Sequence, residues 1–503
     1  MNSNIEGQKK EAKQIVWNYL SIFGGRFGGT VISAVVLAWV ARKLQPEGMA
    51  KFSLFLMVSS FFSLVFLNWP NSAVIRFGRE KFIKENTIGK VLGSALFILT
   101  FTFTVSLILL LIFRNRIAEY IGINQRFFPI LVSFILISAL YDLSFYVLQT
   151  VGKMKIYGSL PLIEKGVTLL LLALMFNSTG LNEVIICFLI GQLTVIIVSL
   201  MSVEKQYFLP FRIEKKQVYD IVRYAWPLGL GAVSTFISNW IDIIIIKQYL
   251  PLNEVGIYSL SYRGMTFLSL LVMSTISLTF PLITSFRTLG RMDLIKQYID
   301  DLIPQGVFFW SIFLSSLAII SAEIIHMVFG ESYLASVLPF NILLVGIAYN
   351  SIGCFYSGFT AAFDIVKKVV GISVLISILK TIGDFLLVPR IGILGAAVSA
   401  SLTIAVCNLL YIPIVNRSGK LNSHNYRYLV SIWASPIIFT LISCIIFPKL
   451  YIRFLIFIFT VFIFILAGKK NNLFKTETMV LVNSLEIPLF LKKGIKTIYT
   501  LLR

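Results

Sequence analysis

Eight charged residues stand where the chain is otherwise apolar: the bases Arg26, Lys165, Arg263 and Lys380, and the acids Asp142, Glu164, Asp242 and Asp384. A fixed charge inside hydrocarbon costs about 3 kcal/mol even on lenient insertion scales, so each must face a partner or a water-filled cavity. Two kinds of chemistry follow. The bases suit recognition of an anionic group, Arg through its planar fork and Lys as a point charge. The acids suit charge pairing or the carriage of a coupling ion, proton or sodium. Depth along each hairpin supplies partners for most of them. Asp142 and Lys165 each lie about nine residues from the turn at 151–156, and Asp242 and Arg263 flank the turn at 247–255. Lys380 and Asp384 are i, i+4 on one helix face. Arg26 has no such neighbour, because the level position in its own hairpin is near Asn68; Glu164 reaches it only through tertiary packing.

Arg26 lies roughly 16 Å along the apolar segment 15–40 at ~1.5 Å per residue, which is mid-bilayer if the segment spans. It is set in Gly24-Gly25-Arg26-Phe27-Gly28-Gly29. The glycine pairs Gly24/Gly28 and Gly25/Gly29 let another backbone approach closely, or they soften the helix so that it bends during a transport cycle.

These residues need long helices to position them. The chain is 57% hydrophobic and 13% charged, with mean hydropathy +0.87, against roughly 25% charge in soluble domains. An all-α polytopic membrane protein is the expected class. About fourteen apolar runs are long enough to cross ~30 Å of hydrocarbon: 15–40, 52–75, 91–113, 128–150, 157–176, 183–203, 220–246, 256–282, 303–328, 337–363, 366–388, 394–416, 428–447 and 450–467. Of the 44 Lys and Arg residues, thirty fall in loops or at span ends on the side of the termini, ten likewise on the other side and four deep in the spans. That bias places both termini in the cytoplasm. It also accounts for the net charge of +21 without nucleic acid. No cleavable signal is expected, because residues 1–13 are polar and the first apolar run exceeds a signal core. Cys187, Cys354, Cys407 and Cys444 have no metal-ligand spacing, and with only His326 and His424 beside them no metal site and no cofactor are expected.

An internal repeat at an offset of 206 divides the chain. Ile15-Val16 matches Ile221-Val222, and Leu44-Gln45-Pro46-Glu47 matches Leu250-Pro251-Leu252-Asn253, each a Leu-then-Pro turn closing a long helix. Six helices per repeat keep both copies in one orientation, the parallel arrangement that places a substrate site at a lobe interface near the midplane. The expected organisation is a six-helix lobe at 1–203, a basic cytoplasmic linker at 204–219, a second six-helix lobe at 220–416, two extra helices at 417–467 and a basic cytoplasmic tail at 468–503. The linker, with Lys205, Arg212, Lys215 and Lys216, reads as an amphipathic helix on anionic lipid.

Four stretches carry a family resemblance: Arg42-Lys43-Leu44-Gln45-Pro46-Glu47-Gly48, Ala73-Val74-Ile75-Arg76-Phe77, Phe329-Gly330-Glu331-Ser332-Tyr333, and Pro389-Arg390-Ile391-Gly392-Ile393-Leu394-Gly395-Ala396-Ala397. In the last, Pro389 is expected to terminate a helix and Gly395-Ala396-Ala397 to form a close-packing surface. Over about residues 10–470 the chain resembles the bacterial polysaccharide repeat-unit flippases, which handle O-antigen and capsule units, of the multidrug/oligosaccharidyl-lipid/polysaccharide (MOP) exporter superfamily. The resemblance implies two six-helix lobes around a cavity open to each side in turn, in the bacterial cytoplasmic membrane. The implied cargo is a polyprenyl-diphosphate-linked oligosaccharide moved to the outer leaflet. Arg26, Arg263, Lys380 and Lys165 are then candidate substrate-binding residues, and Asp142, Glu164, Asp242 and Asp384 candidate coupling or charge partners. Membrane lipids and a polysaccharide polymerase are further partners consistent with this reading. A peptidoglycan-precursor flippase has similar cargo, and a multidrug exporter shares the superfamily but has no need of an unpaired midplane Arg. An enzyme, such as a membrane glycosyltransferase or polymerase, is not expected. The longest external loop, about 114–127, is short and carries Arg114, Arg116 and Arg126 with only Glu119 as an acid.

Overall fold

The computed structural model describes residues 2–175, 180–363, 365–419, 432–447 and 449–470. Every regular element among them is helical, and two compact units form, Met1–Ile243 and Ile244–Arg503.

In the first unit, α1 (Asn2–Phe62) is followed by a π-helical turn at Ser63–Leu67, then α2 (Asn71–Glu85), α3 (Gly89–Ile112), the short α4 (Arg114–Ile121), α5 (Phe128–Val151), α6 (Met154–Leu174), α7 (Leu181–Ser202) and the first part of α8 (Lys215–Tyr249). The apolar part of α1, Phe27–Leu67, is 41 residues long, about twice what one crossing needs. It is two helices meeting at Gln45, whose φ of 56° and ψ of 173° are non-helical, with Pro46 behind it. The second unit begins within α8 and continues through α9 (Leu252–Thr288), α10 (Met292–Gln297), α11 (Ile303–Ile319), α12 (Ser321–Phe329), α13 (Val337–Tyr356), α14 (Gly358–Ala362), α15 (Val366–Ile391), α16 (Ile393–Ser418), α17 (Pro436–Ile446) and α18 (Leu450–Lys470). Pro251 caps α9 with extended ψ, so both copies of the Leu-then-Pro turn break a helix at the position the repeat predicts.

Among the described residues, twelve helical stretches are long and apolar enough to cross a membrane, and a shorter apolar helix runs Ile432–Ile446. With the first stretch divided at Gln45, these correspond to the fourteen expected spans. Exposed Phe101, Ile112, Leu455 and Phe459 show that the outer faces of α3 and α18 are apolar, as a surface in contact with lipid must be.

Loops expected on one side of the membrane meet. In the first unit, Arg79 Nη1 donates to the Thr150 carbonyl at 3.0 Å and lies against Gly152, and the Ile88 N–H donates to the Tyr207 carbonyl at 2.7 Å, joining 76–90, 151–156 and 204–214 at one end. At the other end Gly122 lies against Lys51. In the second unit Lys368 reaches Ser418 at 3.2 Å, and Gly392 lies against Leu250.

Two local expectations are corrected. The linker is not a surface helix: Lys205–Phe208 is one 3-10 turn, and an extended run leads to Lys215. Pro210 disfavours helix at Leu209, while Gly89 and Gly93 open a groove in which the backbones of Phe208, Pro210 and Arg212 lie. Nor does Pro389 end its helix, for α15 runs on to Ile391. The break is made by Gly392 at φ 64°, a conformation that favours glycine. Beyond it, a Cβ on Gly395 would come within 2.5 Å of the Leu387 backbone, and Ala396 and Ala397 are fully buried, so that turn does seat α16 tightly on α15.

Candidate functional site

Two intramembrane charges of the first unit, Glu164 and Lys165, pair on α6. Glu164, 4% exposed, accepts from the Tyr141 hydroxyl at 2.7 Å and from Lys165 Nζ at 2.5 Å. Its own carbonyl accepts from Thr168 on the next turn at 2.8 Å. Lys165 also lies 5.1 Å over the ring of Phe188 on α7, a cation–π contact that stabilises an ammonium out of water. Asp142 turns elsewhere, accepting from Asn68 Nδ2 at 2.5 Å. Asn68 stands just after the π-helical turn that closes α1, a distortion often found at functional sites. Lys165 therefore bonds its chain neighbour Glu164 and not Asp142, since equal depth along a hairpin says nothing of the direction in which a side chain points. Ser138 and Gln192 join α5 to α7 beside this network at 3.0 Å.

The glycines of α1 carry the packing role. A Cβ on Gly25 would meet the Gly158 carbonyl oxygen at 2.0 Å and one on Gly29 the Pro161 backbone at 2.9 Å, whereas one on Gly24 would meet nothing within 4 Å. The α1 backbone at Arg26 thus runs along α6 some two turns before Glu164. The Arg26 side chain lies outside the described residues.

In the second unit, Lys380 and Asp384 are buried one turn apart on α15. Lys380 Nζ lies 5.6 Å over the ring of Tyr262 on α9, and Tyr262 stacks with Tyr258 at 6.1 Å. Ser399 on α16 donates to the Lys380 carbonyl at 3.1 Å. Arg263 follows Tyr262 directly in the chain and leaves α9 about 100° away from it. Asp242 is 1% exposed and belongs to the first unit, while Arg263 belongs to the second.

Outside the spans, Glu214 is held at 2.7 Å by Lys90 and at 3.7 Å by Lys81. The hydrogen bond from Lys90 keeps its carboxyl below the usual range, with the charge of Lys81 adding to the effect. Sequence reasoning missed the aromatic partners Tyr141, Phe188 and Tyr262. The i, i+4 spacing of Tyr258 and Tyr262 beside Arg263 was the one available signal.

Residues 15–287 match the model of the family described as polysaccharide biosynthesis protein. The uncharacterized membrane protein MJ1068 of Methanocaldococcus jannaschii is 24% identical, over 89% of this chain and 91% of that one. The probable low-salt glycan biosynthesis flippase Agl15 of Haloferax volcanii is 21% identical, over 78% and 81%. Among solved structures, lipid II flippase MurJ in an inward closed conformation superposes with a TM-score of 0.65 at 17% identity, over 89% of this chain and 98% of that one. An inward-facing multidrug resistance MATE family transporter of the MOP superfamily gives 0.60 at 13%, over 78% and 96%. These structures share the fold. With more than half of its length matched by the family model, this multi-pass membrane protein belongs to the polysaccharide biosynthesis protein family.

Proposed function

We propose that the protein is a flippase that moves a polyprenyl-diphosphate-linked oligosaccharide from the inner to the outer leaflet of the cytoplasmic membrane by alternating access, for cell-surface polysaccharide synthesis. O-antigen and capsule repeat units are cargo of this description, and one relative named as a probable glycan biosynthesis flippase and another named as a probable flippase support the reading. The observation that carries it is cationic groups held inside both units of a family member: Lys165 beside Glu164 and Phe188, and Lys380 over Tyr262. A sugar-diphosphate headgroup cannot cross hydrocarbon unaided, and such groups offset its charge during passage. With the inside negative, each anionic charge moved outward gains ~2.3 kcal/mol per 100 mV, so the membrane potential favours export. Arg26, Arg263, Lys165 and Lys380 bind the cargo in this reading, and Asp142, Glu164, Asp242 and Asp384 serve as charge partners or carry a coupling ion. Both termini are cytoplasmic, and a polysaccharide polymerase receives the product.

The test is deletion followed by analysis of lipid-linked intermediates. One defined oligosaccharide accumulating on the cytoplasmic leaflet is the expected result; unchanged intermediates with altered drug sensitivity would show a multidrug exporter instead. Within the protein, Arg26→Ala should abolish export at near-normal abundance and Arg26→Lys should retain part of it, because Lys keeps the charge but lacks the bidentate fork. Full export by Arg26→Ala removes that residue from the cargo site.

A further inference from the structure

Arg76, in the Ala73-Val74-Ile75-Arg76-Phe77 stretch, has a role that packing does not explain. Ala73 and Val74 are fully buried, and the Val74 carbonyl accepts from Thr150, so these two residues seat α2 on α5. Arg76 points outward, with its guanidinium carbon 4.4 Å from the ring centroid of Tyr224 on α8 and 5.4 Å from that of Phe77. Phe77 and Tyr224 themselves meet edge to face at 5.7 Å and 77°. The Tyr224 ring is thus the shelf over which the guanidinium lies, with Phe77 set steeply beside it. Stacking occupies the faces of the guanidinium plane and leaves its N–H edge available. Glu80, one turn along α2, feels the charge of Arg76 but is bonded by Lys84 at 2.7 Å. Among the described residues, no acceptor bonds the Arg76 fork. One turn on, Arg79 adds a second guanidinium, partly committed to the Thr150 carbonyl. The helix lies between the apolar stretches Phe27–Leu67 and Gly89–Ile112, hence at the membrane boundary, on the side of the basic loops.

We propose that Arg76, laid on Tyr224 and supported by Arg79, recognises the phosphate of a lipid-linked headgroup at the cytoplasmic surface of the first unit before the headgroup enters the membrane. A stacked guanidinium presents two parallel donors to phosphate oxygens without losing rotamer freedom on binding. The assignment rests on the flippase reading and names a loading residue distinct from the intramembrane bases. Phosphate at this surface comes from two sources, a polyprenyl diphosphate or an anionic phospholipid.

The test uses the purified full-length protein in phosphatidylcholine nanodiscs and measures binding of radiolabelled polyprenyl diphosphate, with the matching polyprenol and phosphatidylglycerol as competitors. Arg76→Ala should weaken polyprenyl diphosphate binding about tenfold, and Arg76→Lys should recover only part of the loss. Tyr224→Phe keeps the shelf and should bind as the wild type does, whereas Tyr224→Leu should fall toward Arg76→Ala. This pair keeps the test valid even if one Arg variant folds poorly. Wild-type affinity in Arg76→Ala, or equal affinity in the two Tyr224 variants, overturns the proposal. Competition by phosphatidylglycerol as effective as that by unlabelled polyprenyl diphosphate overturns the cargo source and leaves a general phospholipid site. A wild-type protein that binds polyprenyl diphosphate no better than polyprenol defeats the flippase reading itself, an outcome separate from unchanged binding in Arg76→Ala.

Discussion

Glu164 and Lys165 are adjacent in the chain and leave their helix about 100° apart, yet the long Lys stem folds back to put its ammonium 2.5 Å from the carboxylate. Glu164 is nearly buried, and Tyr141 takes its other oxygen, so the three side chains form one unit of compensated charge. Removing the lysine leaves a buried carboxylate with a single neutral donor. Lys165→Ala should therefore lower stability by about 2–3 kcal/mol, and Lys165→Ala with Glu164→Gln should cost less than the two single changes together. Thermal unfolding of the four proteins in detergent measures this cycle, and strict additivity would show that Lys165 is held by something other than Glu164. The charged members of this network were legible in the sequence because ionised groups are conspicuous in an apolar run. Their partners were not. Tyr141 is an ordinary amphipathic residue of membrane helices, and Asn68, which takes Asp142, drew notice only for its depth.

At the scale of elements, the Gly24–Gly29 stretch had two readings that periodicity does not separate, close packing or flexibility. Contact geometry separates them residue by residue. Gly25 and Gly29 sit where α6 passes, close enough that any side chain would collide with the Gly158 or Pro161 backbone, while Gly24 faces open space. Gly25→Ala should destabilise the first unit by about 1–3 kcal/mol or more, since the clash is with backbone that cannot rotate away. Gly24→Ala should be neutral or slightly stabilising, because alanine is the better helix former. Expression level and unfolding temperature of the two variants decide the matter, and equal behaviour would return the stretch to the flexibility reading. Helix boundaries show the same limit of sequence reasoning. Pro389 was the conspicuous residue of its turn, but a proline within the last helical turn is tolerated, and the positive φ of Gly392 makes the break. The linker was misread because its basic composition suggests a surface helix, while the groove at Gly89 and Gly93 that holds it extended exists only once α3 is folded.

For the whole molecule, span number and alternation were the most legible features, because the length of a membrane helix is set by the bilayer and not by neighbouring side chains. Contacts within each unit supply a check that charge counting lacks. If one span had been missed, loops of opposite sides would have to touch, yet Arg79 meets Gly152, Ile88 meets Tyr207, and Gly122 meets Lys51, each pair drawn from loops given the same side. Contacts within each unit agree with the expected alternation, and the Lys and Arg excess predicts the compartment. In a background with the four native cysteines replaced, Lys155→Cys and Asn124→Cys place exposed thiols at opposite ends of the first unit. An impermeant thiol reagent applied to intact cells should label Asn124→Cys and leave Lys155→Cys unlabelled until the cells are opened. The reverse pattern would keep the helix count but invert the protein, placing Arg76 and the basic loops outside and excluding a cytoplasmic loading role for them. Labelling of both from outside would break the alternation itself, and with it the expectation that the chain presents its basic end to a cytoplasmic, phosphate-bearing lipid.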